Sequence, residues 1–424
     1  MRIIADLHIH SKYSRAVSRE MTLPNIALWA KKKGVNVISI GDFTHPAWIK
    51  SIKKELISAE QGLFILKNSV SEQESPPSPE RPQREILTKE DFPVRFILGA
   101  EISSIYKKGD KVRKIHNLIF TPSIESAEKI NKELSKIGNL KADGRPILGL
   151  GAKELLKIIL AVDEKSVLIP AHAWTPWFSV FGSMSGFDSI EECFEELADK
   201  IFAIETGLSS DPAMNWQLSN LDKISLISNS DAHSLQKIGR EANIFDAELS
   251  YDGIMDAIKS KNPKKFLSTI EFFPEEGKYH YDGHRNCGVS TDPRISKSDI
   301  CPVCDKRLTM GVLHRINELT DRTPGKKPKN YIPYKNIIPL AELIAEVEQV
   351  GVKSKKVTGI YEKLLESAGS EFRILLDIPI KELEKIGGRE IAGAIDKARK
   401  GKVKIEPGYD GKFGKISLIQ GSAR

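Results

Sequence analysis

The sequence predicts an α/β fold of repeated strand–helix units, followed by a short Cys/His-rich module and a mainly helical C-terminal region. Three observations predict it. From residue 1 to about 275, short β-rich runs alternate with amphipathic stretches, the rhythm of parallel β/α architecture. Histidines and carboxylates recur at the ends of those runs, where parallel folds gather their functional groups. Cysteines then cluster, and a helical period takes over from about residue 335.

The elements follow in order. RIIADLHIH is a first strand, TLPNIALWAKKKG a helix and VNVISIGDF a second strand. Residues 71–90, SEQESPPSPERPQREILTKE, break the rhythm with Pro, Ser and charge, as a mobile surface insertion would. The alternation resumes with FPVRFILGAEIS, KIHNLIFTP, ESAEKINKELSKI, SVLIPAHAW, IFAIETG and ISLISNSDAH. This predicts one domain over 1–275, a module over 276–330, a linker at TPGKKPKNYIPY and a third unit over 335–424. In that last unit LAELIAEVEQVG, VTGIYEKLLESAG and IKELEKIGGREIAGAIDKARKG are helical, and KVKIEPGYDGKFGKISLI is a β-hairpin.

The 424 residues suffice for two or three domains with sizeable cores. No apolar run approaches bilayer length, and the N-terminus lacks a secretory pattern, so a cytoplasmic protein without a membrane partner is expected. Three of the four cysteines (Cys287, Cys301, Cys304) lie close together, which argues for a metal site over a disulfide framework. The fourth, Cys193, reads as a buried helical residue. A formal charge of +7 permits a polyanionic partner without requiring one.

DLHIH puts Asp6, His8 and His10 on one face of an extended strand, because side-chain direction has period two. Asp42 and His45 follow in GDFTH, Glu101 in GAEIS, His116 in KIHNLIF, His172 in PAHAW, and Asp231 and His233 in SDAH. One such residue could cap a helix. Repetition at the same topological position points instead to a shared polynuclear centre of imidazole and carboxylate. In YHYDGHRNCGV and DICPVCDK, His284, Cys287, Cys301 and Cys304 form two short-spaced pairs suited to one tetrahedral structural zinc. His280 is the alternative fourth ligand.

Taken in order, these motifs resemble those of the PHP (polymerase and histidinol phosphatase) superfamily over about 275 residues. The resemblance implies a distorted (β/α)7 barrel that holds two or three divalent ions (Zn, Mn or Mg) and hydrolyses phosphoesters. The implied ligands are His8, His10, Asp42, Glu101, His116, His172, Asp231 and His233. PAHAWTPWFSVFGSMSGFDSIEECF, KYHYDGHRNCGV, CPVC and GVLHRINELTDR extend the resemblance, over nearly the whole chain, to the archaeal-type endonuclease Q family. That implies a DNA repair endonuclease, nucleoid-associated, cutting double- or single-stranded damaged DNA. The cut would fall 5′ to uracil, hypoxanthine, xanthine or an abasic site, through metal-activated water, leaving 3′-hydroxyl and 5′-phosphate ends.

Asp231 and His233 are then expected at the reacting phosphate. Asp188 is read as a general acid/base or substrate contact, with a helix N-cap as the competing role. Trp174, Trp177, Phe178 and Phe181 are read as a base-stacking set or as a hydrophobic lid or core. Lys397, Arg399 and Lys400 lie in a basic run of a helix-hairpin-helix-like stretch that could meet phosphates. A sliding clamp stands as a partner to test, although the tail shows no convincing clamp-binding motif. The competing functions are a small-metabolite phosphoesterase and an inactive DNA-binding accessory protein.

Overall fold

A computed structural model describes residues 1–68, 93–296 and 298–418. The expected insertion at 71–90 lies outside the described residues. The α/β core is a distorted barrel made of separate sheets. In the largest, β1 (Arg2–Asp6) pairs in parallel with β2 (Val37–Ser39), and β2 with β5 (Arg95–Ile97). Two short strands, β3 (Leu56–Ser58) and β4 (Leu63–Leu66), continue antiparallel at that edge. The second sheet holds β6 (Gly99–Lys108), β7 (Lys111–Phe120), β8 (Ile147–Leu148) and β9 (Val167–Pro170). A parallel pair, β10 (Ala203–Glu205) and β11 (Ser225–Ile227), follows. On the far side of β1, β12 (Ala242–Asp246) and β13 (Phe266–Glu271) run antiparallel.

Hydrogen bonds join the sheets at their seams. Thr121 N–H reaches Leu98 O at 3.3 Å, Ala173 N–H reaches Glu205 O at 2.9 Å, and Ser228 N–H reaches the Asn243 side chain at 3.0 Å. Buried Ile, Leu, Val and Phe side chains fill the barrel and the layer beneath its helices. The reading of a parallel core needs correction, since antiparallel strands flank the parallel β1–β2–β5 set and dominate the second sheet. β6 and β7 form a long antiparallel hairpin in which Ser103 pairs with His116. Gly109, at φ +60° with Asp110 after it, supplies the tight turn that such a hairpin needs.

The later segments are interwoven. β16 (Tyr334–Asn336), at the end of the expected linker, adds to β13 in parallel and so completes the main sheet. In the 276–330 stretch, β14 (Asp282–His284) pairs with β15 (Val289–Thr291), and the helix Val312–Leu319 follows. The C-terminal helices include Ile380–Gly387 and Arg389–Arg399, joined at Gly388. The final hairpin, β17 (Val403–Glu406) with β18 (Lys415–Leu418), forms as expected. Its loop returns to the Cys/His stretch, where Tyr281 bridges to Tyr409. Among the described residues, no helix is long and apolar enough to cross a membrane.

Candidate metal centre

His8 and His10 lie just past the end of β1, where Ile9 makes a lone parallel bridge to Ala232. That bridge sets DLHIH beside SDAH. Asp231 and His233 follow β11, His172 follows β9, and Glu101 and His116 stand within the β6–β7 hairpin. Their ligand atoms form three groups, each able to hold a cation: His8/His10/Glu101, His10/Asp231/His233 and Glu101/His116/His172. Shared members His10 and Glu101 link the three.

Glu101 is the hub. Its Oε2 lies 3.2 Å from His10 Nε2 and 3.6 Å from His8 Nε2. Its Oε1 lies 2.7 Å from His116 Nδ1 and 3.1 Å from His172 Nε2. Burial disfavours the charged form of Glu101, yet the surrounding imidazoles and Arg145 hold it well below the usual carboxylate range. Burial likewise works against a charge on His8 and His10. The carboxylates Glu205, Asp231 and Glu101 around His8, and Asp42, Asp231 and Glu101 around His10, nevertheless raise both well above the ordinary imidazole value.

The donor set fits cations on a specific observation. His8 Nε2, His10 Nε2 and Asp231 Oδ1 are buried, face one another and have no aligned hydrogen bond. Buried polar atoms are seldom left this way unless something else satisfies them. The opposite ring nitrogens are tied down. His8 Nδ1 meets Glu205 at 3.0 Å, His10 Nδ1 meets Asp42 at 3.0 Å, and His233 Nδ1 meets the Asp231 carbonyl at 2.8 Å. Tethering one nitrogen fixes the tautomer and aims the other as a ligand. Asp42, His172 and Asp231 also have positive φ values of 52°, 29° and 45°. Non-glycine residues seldom sit there, and such strain gathers at functional sites.

Several expected residues lie elsewhere. Asp42 stands behind His10, not among the ligand groups: its Oδ2 accepts from Ser11 N (2.6 Å), Ser11 Oγ (2.7 Å) and Ser14 Oγ (2.9 Å). Asp6, on the DLHIH face, instead accepts the Ser230 and Gly239 N–H groups. His45 caps the helix Pro46–Glu55. Trp174 belongs to the core, fully buried with its indole N–H on Asn215 at 2.7 Å, so it offers no stacking face. Phe181 packs against it. Phe178 lies 4.7 Å from the His116 ring and so borders the centre, while Trp177 is 36% exposed with its ring edge-on to Tyr279.

Asp188 is exposed and ion-paired with Arg315, while the N-cap of the next helix is Ser189. Arg399 donates to the Ile374 and Leu375 carbonyls, a packing role, and Lys400 pairs with Asp396 at 2.6 Å. Lys397 lies in the last turn of the same helix.

His284, Cys287, Cys301 and Cys304 meet in one compact group, and His280 stays outside it. Burial opposes a thiolate at Cys301, but N–H donors of Val303 and Cys304 and the His284 ring bring its pKa down to about 6. Cys193 is buried in the helix Ile190–Phe194.

Two residues escaped the sequence reading. Glu205, at the end of IFAIETG, holds His8 and also accepts His172 N–H at 2.8 Å and Asn229 at 2.9 Å. It ended a β-like run as the other site residues do, and that was its only signal. Arg145 reaches Glu101 at 3.0 Å from a loop with no motif at all. Behind the centre, burial pushes Glu271 up to about 8 and Glu241 well above its ordinary value, with Asp211 adding to the first and Glu271 to the second.

The family described as the MJ0043 C-terminal domain matches residues 339–402. An uncharacterized protein, YqxK of Bacillus subtilis, is 29% identical over 98% of this chain and 99% of its own length. The uncharacterized protein MJ0043 of Methanocaldococcus jannaschii is 34% identical over 58% of this chain, and the match spans only 31% of that protein. The crystal structure of the lesion-specific endonuclease PfuEndoQ from Pyrococcus furiosus aligns at a TM-score of 0.83, with 32% identity over 99% of this chain and 96% of that one. An endonuclease Q complex with a 27-mer duplex bearing an abasic lesion at its active site aligns equally well, over 97% of its chain. With that likeness running end to end and the clustered ligands in a PHP-type core, the chain belongs to the endonuclease Q family of metal-dependent DNA repair nucleases.

Proposed function

We propose that this chain incises DNA on the 5′ side of damaged nucleotides, namely abasic sites and the deaminated bases uracil, hypoxanthine and xanthine. The observation that carries the reading is the full-length likeness to a lesion-specific endonuclease, coinciding with the three linked ligand groups. His8, His10, Glu101, His116, His172, Asp231 and His233 would hold two or three divalent ions, with Asp42 and Glu205 orienting His10 and His8. When bound, such ions lower the pKa of water and polarise phosphoryl oxygens. His284, Cys287, Cys301 and Cys304 would hold one structural zinc.

The chain's own residues set the approach. Asp231 and His233 keep 26% and 34% of their side chains exposed, while the other proposed ligands are almost covered. The phosphodiester would therefore arrive at the Asp231/His233 edge. Phe178, on the His116 side of the centre, and the exposed Trp177 in the same loop would offer surfaces for an extruded nucleotide. A deaminated base presents a carbonyl where the normal base has an amine, so one backbone N–H donor could favour several lesions. The reading includes work on the chromosome in the cytoplasm and leaves a sliding clamp out.

The test is incision of end-labelled duplexes carrying one uracil, hypoxanthine, xanthine or abasic site, with Mg²⁺ or Mn²⁺, beside an undamaged control. A single cut 5′ to the lesion, leaving 3′-hydroxyl and 5′-phosphate and lost in Asp231→Ala, is expected. Equal cutting of undamaged DNA would remove lesion specificity, and no cutting with either ion would remove the reading.

A further inference from the structure

Arg145 has no role in the ligand set, yet the fold fixes its backbone beside the centre. Asp143 accepts its N–H at 3.1 Å, Gly144 N–H reaches Tyr13 O at 3.0 Å, and Ser103 N–H reaches Pro146 O at 3.0 Å. At Gly144 only a glycine fits: a Cβ there would lie 2.3 Å from Ser14 Oγ and 2.4 Å from Asp42 Oδ2. The loop is thus pressed against the residues that hold His10. From it Nη1 reaches Glu101 Oε2 at 3.0 Å, the oxygen that faces His8 and His10. About a quarter of the Arg145 side chain stays exposed, and this is its single side-chain hydrogen bond among the described residues.

Charge makes this placement informative. Once divalent ions occupy the ligand groups, a fixed guanidinium next to them is repelled. Glu101 cannot offset that alone, because the same carboxylate would also serve the cations. An anion arriving at the centre reverses the sign, and a guanidinium matches phosphoryl oxygens in shape as well as charge. We infer that Arg145 is a substrate-contacting residue that binds a non-bridging oxygen of the scissile phosphate and stabilises the charge gathering there during attack. The inference rests on the nuclease reading for its substrate, but on the loop geometry for its residue.

The test compares wild type with Arg145→Gln and Arg145→Lys, each loaded with Mn²⁺. Metal content after desalting should match wild type in both variants. Inorganic phosphate, titrated by calorimetry, should bind Arg145→Gln about tenfold more weakly. Turnover of an abasic duplex, or of bis(p-nitrophenyl) phosphate, should fall about 10²- to 10³-fold, with partial recovery in Arg145→Lys. Unchanged phosphate affinity would overturn the inference, and metal loss from Arg145→Gln would reassign Arg145 to holding Glu101. Failure of the wild type on lesion duplexes while the small diester is cleaved would sink the DNA reading and leave the Arg145 comparison intact.

Discussion

Glu205 shows how a residue with no metal-facing atom could set the centre's affinity. Through His8 Nδ1 it aims His8 Nε2, and through His172 N–H it also steadies the strained backbone of a second proposed ligand. Glu205→Gln should therefore retain the fold but bind Mn²⁺ about 10- to 100-fold more weakly, read by metal content after dialysis against graded ion concentrations. The two tryptophans separate in the same way. Trp174→Ala should cost about 3–5 kcal/mol of stability, seen in denaturant unfolding. Trp177→Ala should leave unfolding unchanged and weaken binding to a lesion duplex about tenfold, the scale of one lost stacking contact. Glu271 gives a pH dependence. Its folded pKa of about 8 exceeds the unfolded value, so the folded state binds the extra proton. Its effect on stability is therefore most favourable below about pH 4.5 and is lost as pH rises through about 8. Glu271→Gln should flatten that decline by about 2–3 kcal/mol between pH 6 and 9, measured as urea midpoints.

Among the elements, the loop over residues 174–188 joins two parts of the protein. Phe178 O accepts His116 N–H at 3.0 Å, so the loop touches the metal centre. At its other end Arg315, from the helix Val312–Leu319, donates to Phe181 O at 3.0 Å and Phe187 O at 3.3 Å and pairs with Asp188. That helix is held by Asp282 of β14, which accepts Gly311 N–H and meets His314, both at 2.7 Å. Arg315→Ala should lower turnover on lesion duplexes several-fold while metal content holds, a result that circular dichroism and incision assays together would establish. Legibility in the sequence followed the same division. DLHIH and SDAH could be read because a period of two places neighbouring ligand candidates on one face. Trp174 and Trp177 could not be told apart, since aromatic content does not say which way a loop side chain turns. The β6–β7 hairpin was missed although Gly109–Asp110 marks its turn, because the surrounding alternation suggested crossovers. Arg145 and Arg315 act through partners far away in the chain, which no local pattern records.

At the level of the whole molecule, composition and period propose three regions, but they do not reveal how the strands of one add to another. β16 completes the barrel's main sheet from beyond the Cys/His stretch, and the final hairpin returns to that stretch through Tyr409. A truncation after residue 275 would strip β13 of its β16 neighbour, leaving it paired with β12 alone, and expose the Arg315-facing loop, so it should yield an insoluble or unfolded product on expression. The route from His284 through Asp282 and Arg315 to Phe178 carries one more consequence. It behaves as a strut under load: cutting it at either end relaxes the same far support. Extracting the proposed zinc from the Cys/His group and replacing Arg315 should then impair incision by the same amount, and doing both should impair it little further. The Cys/His group and the cutting edge would thus weaken together, so a copy lacking the proposed zinc would also nick lesion DNA several-fold more slowly.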